Sequence, residues 1–462
     1  MTGASESHLS QTDLLTWRLQ ENPILRPTIV AVLKLDSEPE WERLVDTIDR
    51  GTHAVAEFRS LLVGAPFGLA PPRWVRDPEF ELSWHLRRGA TAHPSDLHAV
   101  LEFAAVEAMT AFDLGRPLWR ATLLKGVDGN GSALVLTVHH SLTDGVSGVR
   151  ILTEMCARDR TGTDFGRPSD SSSKTADRSS GATPWLRISR SLRAVFRGLF
   201  HPVRSARDGA ALAASLARLI RPVTTTLSPV MTERSTGRRL SVFDIPAEPL
   251  HRVASAAHCT MNDAFLTAVL LGLRSYHDRH DAPLQRLRVT MPISLRAPAD
   301  RLGGNRISLS RFVVPVDITD PAELMRAVDT AVDAQRHERA VPLSGAVAAV
   351  LNRVPIRLIA DMLEHVDFVA SNVPGSPVPL YLAGARIDRV YAFSPTLGTS
   401  FNITLTTHAG RCCVGINADT AAVTDLASLT DCLAAGFDTV LRLGVETPKN
   451  PYRESGGVHD TR

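Results

Sequence analysis

Between Gly162 and Pro184 the sequence changes abruptly to a stretch rich in Ser, Thr, Asp, Gly and Arg, with few large apolar residues. Such a stretch cannot bury enough apolar surface to fold by itself, so it predicts a flexible linker. A chain of 462 residues is also too long for one ordinary hydrophobic core. We therefore predict an N-terminal domain over 1–161, a linker with a basic amphipathic segment over 162–235, a C-terminal domain over 236–445 and a tail over 446–462.

The segments on either side of this linker both contain strand-like and helix-like sequence patterns. Apolar residues at intervals of three and four predict helices, and short apolar runs bounded by turn residues predict strands. Asp-Gly and Asn-Gly dipeptides between Gly126 and Gly131 mark a hairpin. Both domains are therefore predicted to be α/β (α+β). The predicted strands are 28–36, 119–125, 133–138, 287–293, 307–316, 366–371 and 400–406, and the predicted helices are 39–50, 95–110, 148–157, 264–276 and 322–336.

Charge and cysteine content exclude several classes of function. A formal net charge of only +2 gives no reason to expect nucleic acid as a partner. The five cysteines form no CxxC pair and no metal-ligand spacing, which predicts no cysteine metal site and a reduced, cytoplasmic setting. The N-terminus lacks the basic start and apolar core of a secretory signal, so secretion is not expected. The apolar stretch 340–363 is interrupted by Asn352, Arg353 and Arg357, so we predict no transmembrane helix.

A pair of histidines stands at the end of a predicted strand, in the sequence His139-His140-Ser141-Leu142-Thr143-Asp144-Gly145. Successive side chains of a strand point to opposite faces, so both rings cannot enter one cavity. One histidine is expected to be chemical and the other structural. Gly145 allows either an unusual backbone angle or the close approach of a ligand.

These residue types suit acyl transfer to a hydroxyl. A hydroxyl is a poor nucleophile until a base takes its proton, and an imidazole with a pKa of about 6.5 fills that role near neutral pH. The same ring can return the proton to a thiolate leaving group, so no covalent enzyme intermediate is needed. Spacing alone leaves two other interpretations open: a structural histidine at a strand end, and a metal site formed by the histidines and Asp144.

The segment His139 to Gly145 resembles the HHxxxDG motif of the coenzyme-A-dependent acyltransferase superfamily, which includes chloramphenicol acetyltransferase and peptide-synthetase condensation domains. Further segments resemble one branch, the bacterial wax ester synthase/diacylglycerol acyltransferase family, over about residues 14–443. They are Arg116-Pro117-Leu118-Trp119, Asn262-Asp263, Pro292-Ile293-Ser294-Leu295-Arg296 and Ser371-Asn372-Val373-Pro374-Gly375. The chain has Phe401-Asn402-Ile403 where the family often has Leu-Asn-Ile, and Thr407-His408 in place of Ser-Tyr, a difference that bears on acceptor shape.

The resemblance implies two chloramphenicol-acetyltransferase-like domains with a tunnel between them, entered by acyl-CoA from one face and by the acceptor from the other. His140 would be the catalytic base, His139 would support the site, and Asp144 would be structural, with Arg296 as one candidate partner. Acyl-CoA is then a co-substrate, and no further cofactor is expected.

The sequence leaves the roles of Asn262 and Asp263 open. Asn262 is a candidate donor to the developing oxyanion, because preorganised amides stabilise such charge. Asp263 is either a site residue or part of a capping box, since Thr260 and Asp263 have the Thr-x-x-Asp spacing of a helix start. Pro117, Leu118 and Trp119 are interpreted as a packing element at a strand start, and Asn372, Pro374 and Gly375 as a turn after a buried strand.

The implied substrates are oily, and the segment from Trp185 to Pro222 carries eight Arg against one acid along an apolar stripe. It is a candidate for peripheral contact with the inner membrane face or lipid droplets. Three hypotheses for function follow: transfer to diacylglycerol or a fatty alcohol, giving triacylglycerol or wax ester; transfer to a specialised secondary metabolite; and a catalytically silent lipid-binding protein.

Overall fold

The computed structural model describes residues 7–64, 71–164, 223–294, 307–336 and 344–444. The linker core 165–222, the tail, Arg296 and the basic segment from Trp185 to Pro222 lie outside the described residues. The fold is mixed α/β, and two six-stranded sheets form its framework.

The first sheet is built mainly from the N-terminal part of the chain. Its strands are ordered β12-β13-β2-β7-β6-β5. All neighbouring strands are antiparallel except β5 and β6. The predicted hairpin joins β6 to β7, with positive φ at Gly126, Asp128 and Gly129. The bounds are β2 Thr28–Leu35, β5 Leu86–Gly89, β6 Trp119–Val127, β7 Gly131–His139, β12 Tyr381–Leu382 and β13 Ala385–Phe393. A separate small sheet consists of β1 Ser7–His8, β3 Ser60–Val63 and β4 Arg73–Arg76.

The second sheet has the order β10-β9-β11-β14-β15-β8. Strand β11 runs parallel to both of its neighbours, and the remaining pairs are antiparallel. Strands β14 and β15 are buried along nearly their whole length, so they form the centre of this half. The bounds are β8 Arg238–Pro246, β9 Arg286–Ser294, β10 Ile307–Pro315, β11 Phe368–Val373, β14 Phe401–His408 and β15 Arg411–Asp419.

Helices cover both sheets. The central helix of the second half begins with the predicted capping box, in which Thr260 and Asp263 bond each other's backbone N–H. Nine of its buried residues belong to the largest hydrophobic core cluster among the described residues. The helices are α1 Gln11–Leu19, α2 Trp41–Ala54, α3 Leu82–His85, α4 Leu97–Met109, α5 Gly145–Met155, α6 Ala247–Ala256, α7 Met261–Asp278, α8 Pro321–Arg336, α9 Ser344–Leu351, α10 Ile356–Leu363 and α11 Leu426–Arg442.

Strands β12 and β13 cross from the second part of the chain into the first sheet. By position they fall in the predicted C-terminal domain 236–445, yet β13 pairs with β2 along the edge of the N-terminal sheet. A core cluster joins the halves there, with Val30, Val32 and Phe393 from the first sheet against Leu240 and Cys413 from the second. Because these two strands join the first sheet, the two sheets do not divide the chain at a single position.

Within the described residues, no single helix is long and apolar enough to cross a membrane. Helices α6 and α7 reach the required length and apolar composition only when taken together, and the chain bends by 101° between them.

Candidate active site

His140 lies immediately after β7, at the boundary between the two halves. Its backbone N–H donates to the carbonyl of Pro27 at 2.9 Å, which continues the pairing of β7 with β2. The side chain lines a cavity of about 270 Å³. His139 does not line this cavity and is 1% exposed. The two rings therefore lie in different surroundings, as strand geometry requires.

The cavity draws its walls from both halves of the molecule, and most of its lining is apolar. Helix α1 contributes lining residues from the first half, and α9, α10 and β11 contribute lining residues from the second. The principal lining residues are Thr12, Leu15, Leu19, Ile29, His140, Val146, Thr290, Pro292, Leu309, Arg311, Val347, Leu351, Ile359, Met362, Leu363, Ser371, Asn372, Val373, Pro395, Leu397 and Asn402. A hydrocarbon chain matches such a lining, and the few polar groups can orient a reacting carbonyl or hydroxyl.

Burial lowers the pKa of His140 below its usual value of 6.5. The backbone of His140 itself and the negative charge of Asp144 act in the opposite direction and raise the pKa, but by less. Its Nδ1 atom is buried and has no hydrogen-bond partner of good geometry among the described residues. A lowered pKa means that the neutral imidazole prevails at neutral pH. The ring is thus in the protonation state that a general base requires.

His139 is packed as a structural group. Its ring lies 5.7 Å from that of Trp17 and 6.1 Å from that of Phe112, measured between centroids. The Ser141 N–H donates to Nδ1 at 3.2 Å, and the Ser141 hydroxyl lies 2.7 Å from the same atom. Burial, with a smaller effect of His140, lowers the pKa of His139 to about 3. The ring therefore stays neutral and holds the turn that follows His140.

Asp144 and Gly145 begin α5 beside the cavity. The buried Asp144 carboxylate accepts the Ser147 N–H at 2.8 Å and so caps the helix. Gly145 lines the cavity, and a Cβ at this position would lie 3.0 Å from Cγ2 of Val373 on β11. Gly145 does not have a positive φ, and its close neighbour is Val373 of β11, so the structure explains this glycine by the packing of α5 on β11 and not by a backbone angle or a bound ligand.

Two comparisons with known proteins identify the family. Residues 9–265 match the model of the wax ester synthase/diacylglycerol acyltransferase catalytic domain, and residues 303–440 match the WS/DGAT C-terminal domain. The chain belongs to this family. A Mycobacterium tuberculosis protein named for diacylglycerol O-acyltransferase activity is 32% identical over 457 residues, covering 94% of this chain and 92% of its own.

Solved structures show the same fold. The wax ester synthase/diacylglycerol acyltransferase from Marinobacter aquaeolei VT8 superposes with a TM-score of 0.65 at 22% identity, covering 95% of this chain and 100% of that one. The first condensation domain of the calcium-dependent antibiotic synthetase superposes with a TM-score of 0.64 at 17% identity, over 96% and 97% of the two chains. The expected two-domain acyltransferase architecture is thus confirmed, and the chain is an acyltransferase of the wax ester synthase/diacylglycerol acyltransferase type.

The structure does not bring Asn262 or Asp263 to the cavity. The Asn262 amide donates to the sulfur of Met291 at 3.4 Å. On β9 the neighbours of Met291, Thr290 and Pro292, line the cavity, so alternation places Met291 on the other face of the strand. Asp263 is buried in the capping box at the start of α7. Asn262 is therefore not among the residues that line the cavity with His140, and its role as an oxyanion donor stays a prediction for this wax ester synthase/diacylglycerol acyltransferase.

Two segments that carry the family resemblance, those of Asn372 and Asn402, lie closer to the cavity than the sequence predicted. Strand β11 continues to Val373, so Asn372 is part of a strand that lines the cavity, and the predicted turn begins later. Gly375 belongs to that turn, where the carbonyl of Thr407 leaves no room for a Cβ. Asn402 is 2% exposed and also lines the cavity, with its amide donating to the Pro395 carbonyl at 3.1 Å. In the sequence, the only signal for these two asparagines was that the segments around them could be compared with family motifs.

The motif around Trp119 is a packing element, as predicted. Leu118 and Trp119 are buried at the start of β6, and the indole N–H donates to the carbonyl of Phe58 at 2.8 Å. The ring of His85 stacks on Trp119 at 4.7 Å between centroids. This motif therefore fixes the start of β6, the strand that pairs with β7.

Proposed function

We propose that His140 is the general base of an O-acyltransferase that moves a long-chain acyl group from acyl-CoA to the hydroxyl of diacylglycerol or of a long-chain alcohol. One observation carries the proposal: a neutral imidazole lies at the wall of an apolar cavity shared by both halves of the molecule. Family membership supplies the reaction class, and the cavity's apolar lining matches oily substrates.

The reaction needs one proton carrier. His140 accepts the proton of the acceptor's hydroxyl group, while the oxygen of that hydroxyl forms a bond to the carbonyl carbon of the thioester. The carbon–sulfur bond of the tetrahedral intermediate then breaks, and the imidazolium returns the proton to the sulfur of coenzyme A. The products are an ester and free coenzyme A, and no group remains on the enzyme.

The proposal is tested with purified protein, labelled palmitoyl-CoA and a mixed panel of diacylglycerol, long-chain alcohols and unrelated hydroxyl compounds, with products identified by mass. Esters of diacylglycerol or of the long-chain alcohols are expected to dominate. Dominant acylation of an unrelated hydroxyl compound would instead support a specialised acceptor. Palmitoyl-CoA binding without any ester would contradict the proposal and indicate a lipid-binding protein.

The pH dependence of the reaction follows from the lowered pKa of His140. The neutral ring is the active form, so kcat/KM is expected to stay level from pH 8 down through the ordinary histidine pKa of about 6.5 and to fall only below it. The measurement is kcat/KM for a soluble acyl-CoA and a short alcohol across this range, with folding followed by circular dichroism at each pH. A midpoint above the ordinary value, with the fold intact, would contradict the assignment.

We further propose that the protein contacts a lipid surface peripherally, because a diacylglycerol acceptor resides in such a surface. The membrane face and lipid droplets both offer one. The segment from Trp185 to Pro222, first singled out for this contact by its charge, lies outside the described residues.

A further inference from the structure

Arg311 on β10 is the only Asp, Glu, Lys or Arg side chain among the described residues that line the cavity. Most of the lining around it is aliphatic, and Leu309 precedes it on the same face of the strand. Ser310 and Phe312 alternate with it and are buried on the opposite face. The strand therefore directs the side chain of Arg311 toward the substrate space.

The guanidinium of Arg311 is held beside the C-terminal end of α10. It contacts the carbonyl of Met362, in the last turn of that helix, at 3.5 Å. A positive charge is favoured there because the carbonyl groups at a helix end carry partial negative charge. A guanidinium has several N–H donors in a planar fork, so it can keep this contact and hold a ligand at the same time.

A hydroxyl lies next to Arg311 in the same wall. Thr290 on β9 is the direct cross-strand partner of Arg311, and both residues line the cavity. Directly opposed side chains of antiparallel strands have Cβ atoms about 5 Å apart. A guanidinium and a hydroxyl at this separation can donate to the same group, and a carboxylate matches such a pair of donors best.

Arg311 is remote from the reaction centre. Gly145, in the motif of His140, lines the cavity and packs on Val373 of β11. Along β11, Val373 is about 13 Å from Val369, and Arg311 lies across β9 from Val369, about 10 Å further. The guanidinium and the neighbouring hydroxyl therefore meet a part of the substrate many bonds away from the carbonyl or hydroxyl that reacts at His140.

The surroundings of Arg311 disfavour positive charge. Burial lowers the pKa of Arg311, and the positive charge of Arg288 lowers it further. The guanidinium nevertheless keeps its charge at neutral pH, since arginine is not deprotonated in proteins. A carboxylate bound beside it would offset both effects, whereas a plain hydrocarbon chain would offset neither.

We infer that Arg311, together with Thr290, binds a carboxylate at the remote end of a substrate chain, so that the enzyme accepts a chain that bears an acid group. The inference deepens the proposed function and rests on it, because it names a substrate class for the same cavity. The acid group belongs either to the acyl chain of the acyl-CoA or to a long-chain alcohol. In both cases a hydrocarbon spacer separates the carboxylate from the reacting group.

The test compares matched pairs of substrates with the purified full-length protein. The acyl arm pairs mono-CoA esters of α,ω-dicarboxylic acids, in a series of chain lengths, with plain acyl-CoA of equal length, and hexadecanol is the acceptor. The alcohol arm pairs ω-hydroxy fatty acids with the corresponding alcohols, and palmitoyl-CoA is the donor. In one arm, kcat/KM at the best chain length is expected to favour the carboxylate-bearing substrate about tenfold or more. That arm identifies the substrate that carries the acid.

The variants test whether the preference depends on the charge at residue 311. Arg311→Met is expected to lower the ratio of kcat/KM between the carboxylate-bearing and the plain substrate about a hundredfold, because the acid then enters the cavity without its partner. Arg311→Lys keeps the charge but loses the planar fork, so it is expected to retain part of the preference. The matched control is Arg286→Met, which changes an exposed arginine on β9 outside the cavity lining and is expected to keep the wild-type ratio.

A thermal melt checks that each variant folds, and Arg311→Lys carries the test if Arg311→Met does not. No preference for the carboxylate-bearing substrate in either arm, or a preference that survives Arg311→Met, would overturn the inference. Binding of the same substrates is also measured by isothermal titration calorimetry. Tighter binding of the carboxylate-bearing substrate that depends on Arg311, in a protein that makes no ester, would refute the proposed function and leave the inference standing.

Discussion

Replacement of His140 by alanine is expected to lower kcat/KM for ester formation about a thousandfold, because positioned proton transfer contributes of that order to catalysis. The fold is expected to survive. The ring lies at a cavity wall rather than in solid protein, and the backbone bond from residue 140 to the Pro27 carbonyl does not depend on the side chain. The measurement is ester formation by mass, together with a thermal melt of the same preparation.

The controls for this variant separate loss of the base from loss of structure. His98→Ala changes an exposed histidine on α4, and full activity is expected. His139→Ala removes a buried ring that packs between Trp17 and Phe112, so it is expected to lower stability by about 2 to 4 kcal/mol. A His140→Ala protein that keeps more than a small fraction of wild-type activity would exclude His140 as the base and return attention to the polar groups of β11 and β14.

The elements predicted from local patterns are those whose signal is contained in a few residues. The strand 28–36 and the helix 95–110 occur as β2 and α4, and the hairpin at Gly126 to Gly131 occurs between β6 and β7. Each has a clear apolar period or a turn dipeptide, which can be recognised from a few neighbouring residues without knowing the distant partner. The divergence of His139 and His140 follows from strand alternation alone, which is also a local property.

The parts that the sequence did not predict depend on distant contacts. Residues 385–393 form a strand of the first sheet because they pair with β2, some 350 positions earlier, and no local pattern specifies that partner. The position of Asn262 depends on which face of β9 meets α7, and that is fixed by packing of the whole second half. A resemblance identified the motifs, but only the fold shows that Asn372 and Asn402 face the cavity and Asn262 does not.

The largest effect on stability is expected at Asp419, at the end of β15. Its carboxylate is completely buried. It accepts hydrogen bonds from the Arg238 guanidinium at 3.0 Å, from the Ser235 N–H at 2.8 Å and from the Ala421 N–H at 2.9 Å. Arg238 is almost as buried and also donates to the carbonyl of Ile24 at 3.2 Å, in the other half of the molecule. The Ser235 hydroxyl also donates to the Asp419 carboxylate at 2.7 Å, and Arg238 donates to the carbonyls of Ser235 and Gly237 at 2.8 Å, so the two buried charges are stabilised by each other and by a set of hydrogen bonds.

Asp419→Ala is expected to lower the free energy of unfolding by about 3 to 5 kcal/mol, because it leaves the buried Arg238 without its counter-charge. The measurement is urea unfolding at neutral pH. The control is Asp388→Ala, which breaks the partly exposed ion pair with Arg386 and is expected to cost less than about 1 kcal/mol. A double variant of Asp419→Ala with Arg238→Met is expected to recover part of the loss, since the uncompensated charge is removed with its partner. Equal effects of Asp419→Ala and Asp388→Ala would show that the buried pair contributes no more to stability than the partly exposed one.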